Sequence, residues 1–268
     1  MTKPTVTIAF QGEPGAFSDD AARALRRDAD TRGYDTFDDA AAALERGEVD
    51  LALLPVENSI SGAVPRVYDL LWGNPHLRIV DEIVHPIVQN LIGTPDATLA
   101  GLREVRSHPV ALEQCRAFLG ARPGLRSIIV ADTAGAVREI VARGDRRVGA
   151  IGSRLAAKRY GGRILAAAIQ DVAGSFTRFF LLQRDGTPSP APTRACIAMR
   201  LAHRPGTLRD ALAAFADLGL NLRTLVSRPS LEEPFTYRFY CEIVELDADR
   251  LARALARIDG EVRTLGLY

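Results

Sequence analysis

Apolar runs and the residues that punctuate them divide the chain into alternating strand and helix signals. Val6-Thr7-Ile8-Ala9-Phe10 is an apolar strand. A glycine-containing loop follows, then a helix expected to begin at Ser18, whose hydroxyl suits an N-cap and is followed by the acids Asp19 and Asp20. Helices are expected over 38–46 and 64–72, and a buried strand over 49–54 that ends at Pro55. Strands over 77–85 and 89–93 flank Pro86. Further along come a short strand ending at Val105, a helix over 109–119, a strand over 127–131, a helix over 134–143, a strand over 148–151, a helix over 154–160 and a last apolar strand over 177–183. Such repeated alternation predicts an α/β fold, a parallel or mixed sheet with helices on its faces. In open sheets of this kind, sites gather in the loops beyond the carboxyl ends of strands. The loops to inspect therefore follow Phe10, Leu54, Val105 and Ala131.

The pattern changes at RDGTPSPAPT, residues 184–193, a proline-rich stretch with no aliphatic side chain larger than alanine, which reads as an exposed linker. Beyond it the signals run strand 195–201, helix 206–218, strand 220–227, strand 236–245, helix 247–258, strand 261–267. That order, βαββαβ, is the ferredoxin-like pattern. Domains are accordingly expected over 1–183 and 194–268. The smaller one carries no catalytic cluster; it reads either as a dimerisation module or as a small-molecule sensor, and fold alone does not separate these.

Composition narrows the classes. With a formal charge of +1 over 268 residues, no strong field favours nucleic acid or a membrane surface. No apolar run approaches the roughly 20 residues that span a bilayer. The three cysteines, Cys115, Cys196 and Cys241, are far apart and odd in number, which argues against a disulfide framework and fits a reducing compartment. The opening residues lack the apolar core of a signal peptide, so a cytoplasmic protein is expected.

Taken singly, the loops leave alternatives open. Gln11 to Ser18 joins a strand to a helix, either as an anion site built on a helix N-terminus or as an ordinary tight turn; it is neither a Rossmann nor a P-loop motif. Glu57, Asn58 and Ser59 after the buried strand can hydrogen-bond a ligand or cap a following turn. His108 can act as an acid near neutrality or merely cap the helix opened by Pro109. Ser107 and Thr133 stand at helix starts. Thr177-Arg178-Phe179 opens a strand and by spacing alone is not a site. No Ser-His-Asp order, HExxH or CxxC supports a hydrolase or a metal centre.

Read together, the loops resemble the prephenate dehydratase family. FQGEPGAFS is similar to its opening loop, PVENSISGAV to its P-[VI]-E-N-S-x-x-G-x-V segment, SHPVALEQC to S-H-P-Q-A-L-x-Q-C, DTAGAVREI to a helix start of some members, and FTRFFLL carries the T-R-F signature. After the linker, PGTL and SRP fall at the two phenylalanine-binding motifs of an ACT domain. The resemblance implies that prephenate loses carbon dioxide and water to give phenylpyruvate on the route to phenylalanine, without metal or organic cofactor. It implies a catalytic domain of two subdomains, shaped like a periplasmic binding protein, with the site in the cleft between them. Thr177 and Arg178 become the catalytic pair: the threonine hydroxyl assists the departing hydroxyl, and the guanidinium clamps a carboxylate in bidentate geometry. Ser18, Glu57, Asn58, Ser59, Ser107, Thr133 and Phe179 become substrate contacts, with Phe17 as a further apolar wall. Gly206, Thr207, Leu208, Asn221, Ser227 and Arg228 become contacts for phenylalanine as an effector, and a homodimer or homotetramer is implied.

Three positions depart from the family: Ser175 replaces an asparagine two residues before the catalytic threonine, Val110 replaces the glutamine after SHP, and Val226 replaces the glutamate of E-S-R-P. The last places phenylalanine control in question. Arogenate as substrate, decarboxylation of prephenate without aromatisation, and non-catalytic sensing are the competing readings.

Overall fold

The computed structural model describes residues 5–230 and 232–268. The chain forms two compact units. The first runs through Gly62 and over Ile83–Phe179; the second comprises Ala63–Glu82 and Phe180–Tyr268. This division differs from the linker-based one, because residues well before the linker cluster with the C-terminal part.

The first unit opens with β1 (Thr7–Gln11), α1 (Phe17–Leu25), β2 (Asp30–Tyr34), α2 (Phe37–Glu45) and β3 (Leu51–Asn58). Strands β2 and β3 flank β1, both parallel to it. The sequence reading misses β2, and its residues Asp-Thr-Arg-Gly-Tyr explain why: none is buried, so this edge strand has no apolar face to announce it. Expected to stop at Pro55, β3 runs on to Asn58. Its pairing with β1 covers only Leu51 to Leu53, so the missing N–H of Pro55 breaks no bond to β1. The chain then passes through β4 (Gly62–Ala63), α3 (Pro65–Gly73) and β5 (Leu77–Pro86).

A second sheet follows in the same unit, made of β6 (Asn90–Gly93), β7 (Glu104–Ser107), β8 (Arg126–Ile129), β9 (Val148–Gly152) and β10 (Arg163–Ala166), in the order β10-β6-β9-β7-β8. Strand β6 is antiparallel to both neighbours, whereas β7 is parallel to both of its own, so the sheet is mixed. Its helices are α4 (Pro109–Glu113), α5 (Arg116–Gly120), α6 (Thr133–Arg143) and α7 (Arg154–Tyr160). The single helix expected over 109–119 is therefore two. Cys115, at φ −116 and ψ 22, interrupts it. The Asp171 carboxylate accepts the Ala117 N–H at 3.0 Å, and Gln114 O accepts the Asp171 N–H at 2.7 Å, so a distant segment stabilises the break. Two sheets with separate helices make two subdomains of this unit. They meet where Phe10 and Ala16 pack on Ala134, Val137, Ala156 and Ala157.

The chain leaves this unit along β11 (Phe176–Arg184), whose first residues lie beside β3. In the second unit, residues 185–193 lack regular structure and are stitched by Ser189 and Thr193 N–H groups to the carbonyls of Leu267 and Tyr268. Then come β12 (Arg194–Leu201), α8 (Thr207–Ala216), β13 (Asn221–Pro229), β14 (Tyr237–Val244), α9 (Ala248–Leu255) and β15 (Gly260–Leu267). Strand order β13-β14-β12-β15 with antiparallel pairing is the expected ferredoxin-like βαββαβ arrangement. Its core comprises Ile197, Met199, Phe215, Ile243 and Leu251, each from the apolar face of its element. No helix among the described residues is long and apolar enough to cross a membrane.

Candidate functional site

The ends of β3 and β11 bring five of the expected residues together. The Asn58 side-chain amide donates to the Thr177 hydroxyl at 3.0 Å, to the Phe176 carbonyl at 3.1 Å and to the Ser175 hydroxyl at 3.4 Å. Its oxygen accepts the N–H groups of Ile60 and Ser61, both at 3.0 Å, so one side chain fixes the turn after β3 and reaches β11. Ser59 clasps Phe176 twice: its hydroxyl accepts the Phe176 N–H at 3.0 Å, and its own N–H donates to the Phe176 carbonyl at 2.9 Å. The Arg178 guanidinium donates to one oxygen of Glu57 through Nη2 at 3.0 Å and Nε at 3.3 Å. That arginine side chain is only 4% exposed, whereas Glu57 is 39% exposed.

Successive strand residues point to opposite faces. The Asn58 contacts to Ser175 and Thr177 therefore define one face of the β3–β11 pair, and the Glu57–Arg178 ion pair the other. Two different chemistries sit back to back: a neutral hydroxyl–amide network, and a cation already matched by a carboxylate. Thr177 and Ser175 are both buried, whereas Asn58 is half-buried and Ser59 exposed. A hydroxyl offers one proton and two lone pairs; with a lone pair of Thr177 taken by Asn58, its proton is oriented elsewhere. Phe179, on the Thr177 side, is buried in the core.

The remaining expected contacts belong to other elements. Ser18 is not the N-cap of α1: the helix starts at Phe17, and its N-cap, Ala16, offers no side-chain bond. Asp19 replaces that function from inside the first turn. Buried, and held by Arg23 and the Thr31 hydroxyl, its carboxylate accepts the Gly15 N–H at 2.8 Å. The loop is pinned to the second subdomain as well. Ser153 donates to the Gly15 carbonyl at 2.6 Å, Tyr160 to the Pro14 carbonyl at 2.6 Å, and Arg138 pairs with Glu13 at 2.9 Å. Gly15 has φ +96, and a Cβ there would lie 3.0 Å from Ala156 Cα. Both the backbone conformation and the close approach call for glycine.

Ser107 is fully buried and donates to the Ile151 carbonyl at 2.8 Å. His108 caps α4, its Nδ1 accepting the Val110 N–H at 3.3 Å. Thr133 is the first residue of α6, whose N-cap is Asp132, bonded to the Gly135 N–H at 2.5 Å. Burial, then the neighbouring Glu13 charge, hold the Asp132 carboxyl above its usual range. Burial pushes the thiols of Cys115 and Cys241 up to about 12, which leaves both as protonated core residues.

In the second unit, Gly206, Thr207 and Leu208 line a crevice of about 390 Å³ with His203, Arg204, Tyr237 and Phe239. Asn221, Ser227 and Arg228 do not line it. Arg228 instead grips Asp69 of α3, with Nη2 at 2.6 Å from one carboxylate oxygen. Sequence reasoning passes over Asp69, Ser153 and Tyr160. Asp69 and Tyr160 lie on helices and Ser153 is the N-cap of α7, and only its tertiary partner distinguishes each.

Similarity to known proteins agrees with this geometry. The family model described as prephenate dehydratase matches residues 8–187. A chloroplastic arogenate dehydratase/prephenate dehydratase of Arabidopsis thaliana is 37% identical over 98% of this chain and 72% of its own. A prephenate dehydratase of Amycolatopsis methanolica is 34% identical over 97% of this chain and 88% of its own. The crystal structure of an Arthrobacter aurescens prephenate dehydratase in complex with L-Phe superposes with a TM-score of 0.89 at 29% identity, covering 97% of this chain and 89% of that one. With its α/β fold, its two subdomains and the residues gathered at β3 and β11, the chain belongs to the prephenate dehydratase family.

Proposed function

We propose that this protein converts prephenate to phenylpyruvate, and that the Asn58–Thr177 contact is the centre of that chemistry. The single observation that carries the reading is the 3.0 Å bond from the Asn58 amide to the hydroxyl of buried Thr177. In the reaction, the bond between the ring and its carboxylate breaks and carbon dioxide leaves. The electron pair moves through the ring and expels the ring hydroxyl, which takes up one proton and departs as water. Hydroxide is a poor leaving group, so that proton decides the barrier. Thr177 directs its O–H at the leaving oxygen, and the Asn58 N–H stabilises the charge that develops on Thr177 as the proton moves. Arg178, paired with Glu57 on the opposite face, acts through the strand, adding positive potential behind the site rather than a direct clamp. Ser59 and the loop over 11–18 with Ser18 complete the anionic side of the site, and Ser107 and Thr133 act by shaping it from behind.

We further propose that 1–183 is the catalytic domain, 184–193 the linker and 194–268 an ACT domain through which phenylalanine regulates the enzyme. The L-Phe complex of the Arthrobacter relative supports an effector of this kind, and Gly206, Thr207 and Leu208 line the crevice that would admit it. Arogenate is a second substrate reading, favoured by the dual name of the Arabidopsis relative. Purified protein incubated with prephenate is expected to generate phenylpyruvate, read by its ultraviolet absorbance, with arogenate assayed in parallel for phenylalanine. Absence of an aromatic product from both substrates would overturn the proposal.

A further inference from the structure

The first unit carries a crevice of about 400 Å³ at the amino ends of β7 and β8. That volume falls in the range of small-ligand clefts, roughly 300–1,000 Å³. Ser107 lies at the opposite end of β7, roughly 13 Å along the strand. The crevice floor is apolar. Leu102 is buried in the core of the second sheet, and Leu99 and Leu125 pack against that core. Two arginines complete the lining: Arg103, just before β7, which is exposed, and Arg122, between α5 and β8, which is half-buried. Each guanidinium is held by one corner. Arg103 Nη1 donates to the Leu102 carbonyl at 2.9 Å and the Ala100 carbonyl at 3.1 Å. Arg122 Nη1 donates to the Phe118 carbonyl at 2.7 Å, and its guanidinium lies 3.7 Å from the centre of the Phe118 ring. Among the described residues neither arginine pairs with a carboxylate, and Nε and Nη2 of both have no hydrogen-bond partner. Neighbouring arginines differ: Arg126 pairs with Glu104, Arg146 with Asp96 and Arg147 with Asp145.

We infer that this crevice binds a small carboxylate with an apolar body and no amino group. The edge formed by Nε and Nη2 is the one that grips a carboxylate as a fork, and the Nη1 bonds already restrain each guanidinium, so less freedom is lost on binding. The three leucines offer a ring or an alkyl chain a surface to cover. No aspartate or glutamate lines the crevice, so an ammonium group would leave water without a partner, which disfavours amino acids. An inorganic anion would leave the floor uncovered. An arylalkanoate has the required chemistry; phenylalanine, with its ammonium group, does not. The place is also distinct from the cluster at β3 and β11, since it sits at the amino ends of its strands rather than at their carboxyl ends.

The test titrates the full-length protein with hydrocinnamate and follows amide chemical shifts, with hydrocinnamyl alcohol, phenylalanine and inorganic phosphate as comparisons. Hydrocinnamate is expected to shift residues 99–103 and 122–126 saturably, and to bind there at least about tenfold more tightly than any of the other three. Arg103→Gln and Arg122→Gln each remove one charge and are expected to weaken that binding at least about tenfold, with the denaturation midpoint unchanged. Arg116→Gln, at an exposed arginine outside the crevice, leaves it as in the wild type. Shifts that are absent from 99–103 and 122–126, or confined to the residues around Asn58 and Thr177, overturn the inference. So does equal binding of the alcohol, which removes the role of the guanidiniums, of phosphate, which removes that of the floor, or of phenylalanine, which removes the discrimination against an ammonium group. These comparisons use the wild type alone, so they remain decisive if a variant folds poorly.

Discussion

Ser107 shows how a residue can belong to a family motif and yet act from the core. Its hydroxyl is spent on the Ile151 carbonyl in a fully buried position. Ser107→Ala leaves that carbonyl without its side-chain partner and is expected to cost about 1–3 kcal/mol of stability by chemical denaturation, with KM for prephenate near the wild-type value. A large rise in KM at unchanged stability would return Ser107 to direct substrate contact. Gly15 is set by backbone as much as by space, so Gly15→Ala is expected to cost about 1–3 kcal/mol, read as a lowered denaturation midpoint. Asp132 predicts a pH effect of the less usual sign. Its folded carboxyl titrates above the unfolded value, so the stability it contributes is complete below the ordinary aspartate range and is lost as pH rises through the folded value. Asp132→Asn keeps an acceptor for the Gly135 N–H and removes the charge. It is expected to be at least as stable as wild type at neutral pH, the advantage vanishing as pH falls below about 4. An Asn variant weaker at neutral pH than in acid, relative to wild type, would contradict this.

At the scale of elements, the sequence reads well wherever periodicity and burial coincide. The βαββαβ order is legible because β12 and β14 are largely buried runs, β13 alternates, and the helices carry one apolar stripe, as Leu251 and Ala254 do on α9. Elements without a buried face are illegible, and β2 is the clearest example. Caps mislead when a tertiary partner takes over: Ser18 has the right chemistry for an N-cap, but Asp19, held by Arg23 and Thr31, reaches the loop first. The broken helix at Cys115 likewise depends on Asp171, 54 residues from its partner Ala117. Asp171→Ala is expected to fray α5, raising amide exchange over residues 116–120 and costing about 1 kcal/mol. Exchange identical to wild type there would show that the break needs no such cap.

For the whole molecule, the motifs name the family while the contacts decide which motif residues meet. Five loops scattered along the sequence resemble one enzyme, and the contacts sort them: β3 meets β11 through Asn58, Ser59 and Glu57, while Glu13 of the opening loop meets Arg138 of α6. That convergence is invisible in spacing, because Asn58 and Thr177 are 119 residues apart. Ser175 illustrates the same limit. Its departure from the family asparagine suggests a shortened network, and the structure shows Asn58 reaching across to it instead. The assignment of α3 to the C-terminal unit is a third property that no local pattern announces.

The most direct test of the central claim is the turnover of prephenate by Thr177→Ala, with folding checked by circular dichroism and Thr177→Ser as the conservative partner. A proton directed by the Thr177 hydroxyl predicts that the alanine variant stays folded and loses at least about tenfold in kcat, while the serine variant keeps most of its activity. Wild-type turnover by folded Thr177→Ala would contradict the account.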